Sequence, residues 1–141
     1  MVCRFCEIVE KRIQPVIRES ENTLTFLSNP CLIEGHALVI PKKHFEDIRE
    51  MPKELLHEIM DEIVETKKML LEKLEVEGCT LIQNFLPFQK ENWRKVNHIH
   101  FHVIPRKNLD EFWVKVHVHF DKVFKKMSKQ ELEKVKEQIL I

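Results

Sequence analysis

The sequence predicts an α+β fold with a mainly antiparallel sheet. Several short segments carry strand patterns, one long stretch carries a helical stripe, and the connections between them are short. A chain of 141 residues with 43% hydrophobic content suits one compact domain with its own core, expected to span 1–141.

Phe5 to Arg12 reads as a short helical turn. Thr23 to Leu27 alternates as a strand does, and Asn29-Pro30 and Glu34-Gly35 bracket the loop after it. Ala37 to Ile40 is an apolar run stopped by Pro41, expected as a buried strand. Phe45 to Glu50 suggests a short helix. From Pro52 to Glu75 the stripe Leu55, Leu56, Ile59, Met60, Ile63, Val64, Leu70, Leu71 and Leu74 predicts the long helix, with Gly78 placed to serve in its termination. Cys79 to Asn84 is the next strand, 85–97 a loop, and His98 to Ile104 a strictly alternating strand closed by Pro105. Phe112 to Phe120 alternates again and is expected to be a strand, which brings the expected sheet to five. Ser128, with Glu131 three residues on, has the form of a capping box for a last helix through Leu140.

Lys+Arg 23 balance Asp+Glu 23, which speaks against a nucleic acid or a membrane surface held by bulk charge. The balance bears on bulk charge alone and not on a small anion held by a few local groups. With only Gly35 and Gly78, a glycine-rich phosphate loop is excluded. No run approaches a membrane span and no signal-peptide core opens the sequence, so the expected location is cytoplasmic, with reduced thiols. The Lys- and Glu-rich surface has a thermophile's composition, which says nothing about chemistry.

The chemistry-bearing segment is His98-Ile99-His100-Phe101-His102-Val103. Alternation puts three imidazoles on one face and Ile99, Phe101 and Val103 on the other. A solvent-facing edge would hold such a row without function. Neutral imidazole is also a nucleophile near pH 7, and a protonated neighbour donates to phosphate oxygens. Cys3-x-x-Cys6 could be a pair of free thiols, a redox pair or half of a zinc site. Cys31 and Cys79 lack such spacing and read as packing residues. His117-x-His119 and His57 read as surface positions, and the helix near the C-terminus as a solvated face.

Taken together, Cys3-x-x-Cys6, Thr25-Phe26-Leu27, Gly35-His36-Ala37-Leu38-Val39-Ile40-Pro41-Lys42-Lys43-His44, Asn84 and Asn97-His98-Ile99-His100-Phe101-His102-Val103-Ile104-Pro105 resemble the histidine-triad (HIT) family of nucleotide hydrolases and transferases. The likeness covers about residues 3–106, leaving 107–141 as an extension. It implies the histidine-triad fold, a purine nucleotide substrate and a homodimer, for which the long helix is a candidate interface. It implies that His100 attacks the α-phosphate of a phosphoramidate or dinucleoside polyphosphate, that His102 bonds the phosphate oxygens, that His36 supports the site, and that Asn84 contacts phosphate or sugar. Catalysis needs no metal, but a structural zinc is implied on Cys3, Cys6, His44 and His98. Two departures bear on substrate identity. Ser28 stands where relatives place a ribose-binding Asp. The loop before the triad lacks the usual glycines, and there Trp93 could stack on a base while Arg94 and Lys95 could bond phosphate; an ordinary exposed loop is the plainer reading. A nucleotidyltransferase or phosphorylase, or a nucleotide binder without catalysis, are the alternatives.

Overall fold

The computed structural model describes residues 3–116 and 122–140. By internal contacts these fall into two compact units, 1–110 and 111–141. The first holds a five-stranded antiparallel sheet in the order β1-β2-β3-β5-β4, with β1 Val16–Glu19, β2 Thr23–Leu27, β3 Ala37–Pro41, β4 Gly78–Ile82 and β5 Phe101–Arg106. Helix α1 is Arg4–Lys11 and the long α2 is Lys53–Lys73, preceded by a 3-10 turn at Ile48–Glu50. No helix among the described residues is long and apolar enough to cross a membrane.

The expected α+β class holds, and so does the strand count, but one strand of the five is different. β1 went unread in the sequence because its four residues carry no pattern of their own. Its register on β2 (Arg18 opposite Thr25, Glu19 opposite Leu24) makes it a strand. Phe112 to Phe120, expected as a strand, begins instead as the short helix α3, Glu111–Lys115; 117–121 lie outside the described residues. Aromatic and β-branched side chains suit a strand only where a neighbouring strand receives them. Here Glu111 opens a helical turn and pairs with Lys115 four residues on.

α2 runs from Pro52 as its N-cap to Leu74 as its C-cap, and Glu75 turns left-handed (φ 52°) to leave it. Gly78 therefore starts β4 rather than ending the helix. In the second unit α4, Lys129–Leu140, opens with the expected capping box. Ser128 Oγ accepts from the Glu131 N–H (3.2 Å) and Glu131 Oε2 accepts from the Ser128 N–H (2.7 Å).

The sheet divides the core in two. Ala37, Val39, Ile99, Phe101 and Val103 face α2 and meet Ile59, Ile63 and Leu70. Leu24, Phe26, Leu38 and Ile40 face the other way, onto Phe5 and Ile8 of α1. α1 thus packs on the histidine side of the sheet. Thr25 and Arg18 lie on the α2 side, where the Arg18 guanidinium donates to Glu62 (2.9 and 3.3 Å).

One glycine is fixed by geometry. Gly35 has φ +87°, and a Cβ there would collide with Leu74 Cδ1 and stand 3.1 Å from Pro105 Cγ. Gly35→Ala is expected to destabilise the fold by about 2–4 kcal/mol, from left-handed strain plus overpacking, as read by urea unfolding. A cost below ~0.5 kcal/mol would show that the turn relaxes freely.

Candidate active site and metal cluster

β5 is shorter at its start than the histidine alternation suggests. Its pairing with β3 runs Val103–Ala37, His102–Leu38 and Phe101–Val39, and ends there. His98 and His100 lie ahead of it, in chain that is pinned by the Ile99 N–H donating to the Phe45 carbonyl at 2.7 Å. The alternation nevertheless persists: Ile99 is buried with the α2-side core, while the three imidazoles stay on the α1 side.

Hydrogen-bond partners settle where the protons sit. His36 Nδ1 accepts from the Leu32 N–H (3.1 Å), so its proton is on Nε2. His36 Nε2 then donates to His102 Nδ1 at 2.8 Å, which leaves His102 with Nε2–H as an outward donor. His100 Nδ1 donates to the His98 carbonyl at 2.8 Å, which leaves the Nε2 lone pair free. One face thus carries a free nitrogen lone pair beside a nitrogen donor, with ring centroids 4.8 Å apart. Phe5 stands edge-on to His100 at 5.1 Å.

Burial keeps these rings neutral. It pushes His102 down to about 3 and His36 to about 4, with His100 adding repulsion in both cases, and it lowers His100 as well. Both His36 and His102 lie below the ~6.5 of an unfolded histidine, so the folded state binds fewer protons between those values. Their contribution is therefore present above about pH 6.5 and is lost as pH falls toward 4. The expected result is that His36→Asn destabilises at pH 7.5 but loses on the order of 2 kcal/mol of that effect by pH 4.5. A mutational cost independent of pH, in paired denaturant titrations, would contradict it.

The metal cluster adjoins this row. Cys3, Cys6, His44 and His98 bring their ligand atoms within 4.8 Å of one another. Cys3 Sγ and Cys6 Sγ each lie 3.5 Å from His98 Nδ1, and Cys6 Sγ lies 3.5 Å from His44 Nδ1. A tetrahedral zinc with bonds of about 2.0–2.3 Å holds its donors roughly 3.5 Å apart, so the set fits zinc. His98 Nε2 donates to the Pro41 carbonyl at 2.8 Å, which frees Nδ1 for a metal. His44 Nε2 points at Glu46 (3.5 Å) and is arranged in the same way. Burial and the neighbouring Cys3 push the Cys6 thiol up to about 11.

Two cavities, each of about 350 Å³, meet at His100, His102, Arg94 and Val96. The first is apolar, walled by Phe5, Ile8, Phe26, Leu38 and Trp93, with Ser28 and His36 at its side. The second contains Asn84, Gln89, Lys95 and Asn97. Ser28 and Asn84 thus stand in different cavities, and the Ser28 hydroxyl donates to the Pro30 carbonyl (2.8 Å). Lys95 gives its ammonium to the carbonyls of Leu86 and Gln89, bracing its own loop. The Arg94 guanidinium lies 5.0 Å over the Trp93 ring. Phe5 and Arg4 are among the lining residues that the sequence did not single out. Both sit between the cysteines, and only the packing of α1 against the histidine face gives them a place in the site.

Fold and cluster together define a class: an α+β protein that presents a row of partly buried, neutral imidazoles beside a two-Cys, two-His set that fits a metal. The family model described as "HIT domain" matches residues 11–109. The chain belongs to the HIT family. An uncharacterized HIT-like protein of Methanocaldococcus jannaschii is 35% identical over 131 residues, 89% of this chain and 98% of its own. The adenosine 5'-monophosphoramidase HNT1 of Candida albicans is 32% identical over 146 residues, covering 94% and 93%. A HIT-family crystal structure from Bacillus subtilis superposes with TM-score 0.79 at 25% identity, over 99% of this chain and 96% of that one. A Zn-bound histidine triad protein from Mycobacterium smegmatis does so with TM-score 0.63 at 32% identity, over 79% and 80%.

Proposed function

We propose that this protein is a nucleotide hydrolase that cleaves at the α-phosphate of a nucleoside phosphoramidate or dinucleoside polyphosphate through a nucleotidyl–His100 intermediate. The observation that carries the proposal is the proton arrangement: a free lone pair on His100 Nε2 beside the Nε2–H of His102, with each held by a partner at 2.8 Å. The phosphoramidase relatives support the choice of substrate class.

The nucleoside enters the apolar cavity, which brings its α-phosphate to the two imidazoles. His100 Nε2 attacks phosphorus, and the bond to the leaving group breaks with its electron pair. The leaving group departs through the second cavity, as an amine that takes a proton from solvent or as the anionic remainder of the dinucleoside polyphosphate. His102 Nε2–H bonds the phosphoryl oxygens as charge builds there, and His36 keeps that proton on the correct nitrogen. Water then attacks phosphorus, the P–N bond breaks, and the nucleoside monophosphate leaves with His100 restored. Asn84, which lines the second cavity, is read as a phosphate or sugar contact, Arg94, which lines both, as a phosphate contact, and Trp93, which lines the first, as the ring that stacks on the base.

Zinc fits Cys3, Cys6, His44 and His98, and bound there it supplies structural cross-linking rather than chemistry. His98 serves twice, since its backbone carbonyl also holds the Nδ1 proton of His100. The protein is read as cytoplasmic, where both thiols stay reduced, and as a homodimer that covers the exposed Met60 and Val64 of α2. The test is a panel of nucleoside phosphoramidates and dinucleoside polyphosphates, with and without added phosphate, and acid quenching to trap labelled nucleotide on the chain. Turnover with an adduct on His100 is the expected result. Nucleotide binding without turnover across the panel would turn the reading to a binding protein, and a strict need for added phosphate to a phosphorylase.

A further inference from the structure

Arg4 is the first residue of α1 and stands between Cys3 and Cys6, at the edge of the apolar cavity. Its guanidinium donates to two backbone carbonyls, Nη1 to Trp93 and Nη2 to Asn29, both at 3.0 Å. These carbonyls belong to the loop between β2 and β3 and to the 85–97 loop, both of which line the cavity. Among the described residues no other hydrogen bond joins those loops directly or through a third side chain. We propose that Arg4 is a positioning residue: a clasp that holds the two loops, and with them Trp93, in place over the nucleoside end of the substrate.

The residue type fits the task. Guanidinium is a rigid fork that reaches two acceptors at once, whereas an ammonium is a single point of charge. An ordinary helix-surface arginine would seek a carboxylate, yet the nearest acid on its own helix, Glu7, is paired with Lys11 at 3.0 Å. The post that carries the clasp is firm. Phe5 and Ile8 of α1 are buried in the core, and Cys3 and Cys6 flank Arg4 within the metal cluster. Trp93 is 64% exposed, so little besides its backbone anchorage and the cation of Arg94 keeps its ring against the cavity.

The proposal rests on the nucleotide reading above, and the experiment separates the two. In the full chain with Trp113→Phe, Trp93 is the sole tryptophan and reports on its own loop. AMP titrated into this protein and into its Arg4→Met derivative is expected to bind about tenfold more weakly to the latter, which corresponds to ~1.4 kcal/mol. With phosphoramidate substrate KM rises in step while kcat stays within about twofold, since the clasp shapes binding and does not touch the reacting atoms. Acrylamide quenching of Trp93 without nucleotide increases, whereas zinc content is unchanged. Arg4→Lys falls between the two, and it carries the comparison if Arg4→Met fails to fold. Equal AMP affinity and equal Trp93 quenching in parent and variant overturn the clasp. If the parent binds no AMP, it is the nucleotide reading that fails, and the quenching comparison still decides for or against the clasp.

Discussion

His100→Ala is expected to reduce turnover of an adenosine phosphoramidate by at least about 10³-fold, the scale of losing a covalent nucleophile. The size of the effect follows from the proton arrangement, because no neighbouring imidazole has a lone pair to offer in its place. His102 spends its Nδ1 lone pair on accepting a hydrogen bond from His36 and carries its own proton on Nε2. His36 uses its Nδ1 lone pair to accept from the Leu32 N–H. His98 turns Nδ1 toward the two thiols and donates Nε2–H to Pro41. A water in the vacated space could attack directly, yet it would lack the fixed position that the His98 carbonyl gives the His100 ring. Single-turnover assays with labelled substrate check both the rate and the loss of the covalent adduct. The side chain of His100 is not among the metal ligands, so zinc content should be retained and a folding defect can be told apart from a chemical one. Activity within tenfold of wild type would remove His100 from the role of nucleophile.

Cys3→Ser is the second large effect, and it acts on the fold. Three remaining donors hold zinc far more weakly than four, so metal content is expected to fall from near one ion per chain to a small fraction. A metal present at about a thousand times its dissociation constant stabilises the native state by ~4 kcal/mol, and that contribution disappears with it. The loss should be felt locally first. The cluster joins α1 to His44, just beyond β3, and to His98, ahead of β5, and His98 in turn holds the proton of His100. Elemental analysis with thermal unfolding measures both effects, and Cys79→Ser is the control, because Cys79 lies outside the cluster. Full zinc retention in Cys3→Ser would exclude the proposed donor set.

Much of this molecule is written locally. The stripe from Leu55 to Leu74 produces α2, and Ser128 with Glu131 caps α4, because both patterns act within a few residues of chain. The alternation from Ile99 to Val103 sorts side chains to two faces even where β5 itself has not begun. β1 and the start of the 112–120 stretch, helical over Glu111–Lys115, could not be read this way, since a short strand exists only through its partner and β-prone residues need one to stay extended.

The site divides along the same line. The histidine row and the cysteine pair are visible in the sequence, and the family resemblance assembles Cys3 with His98. That their atoms stand 3.5 Å apart across 95 positions is a matter of packing. Lys95 carries a charge the sequence offers to phosphate, and the structure engages it with two loop carbonyls. Arg4 and Phe5 enter the site only because α1 packs on the histidine face. Primary structure dictates which chemical groups are present and that three imidazoles share one face of the chain. Which nitrogen of each ring holds the proton, and hence which one can attack, was decided by the tertiary structure alone, because a ring's tautomer is set by whatever donor or acceptor the fold brings to within hydrogen-bonding distance of it.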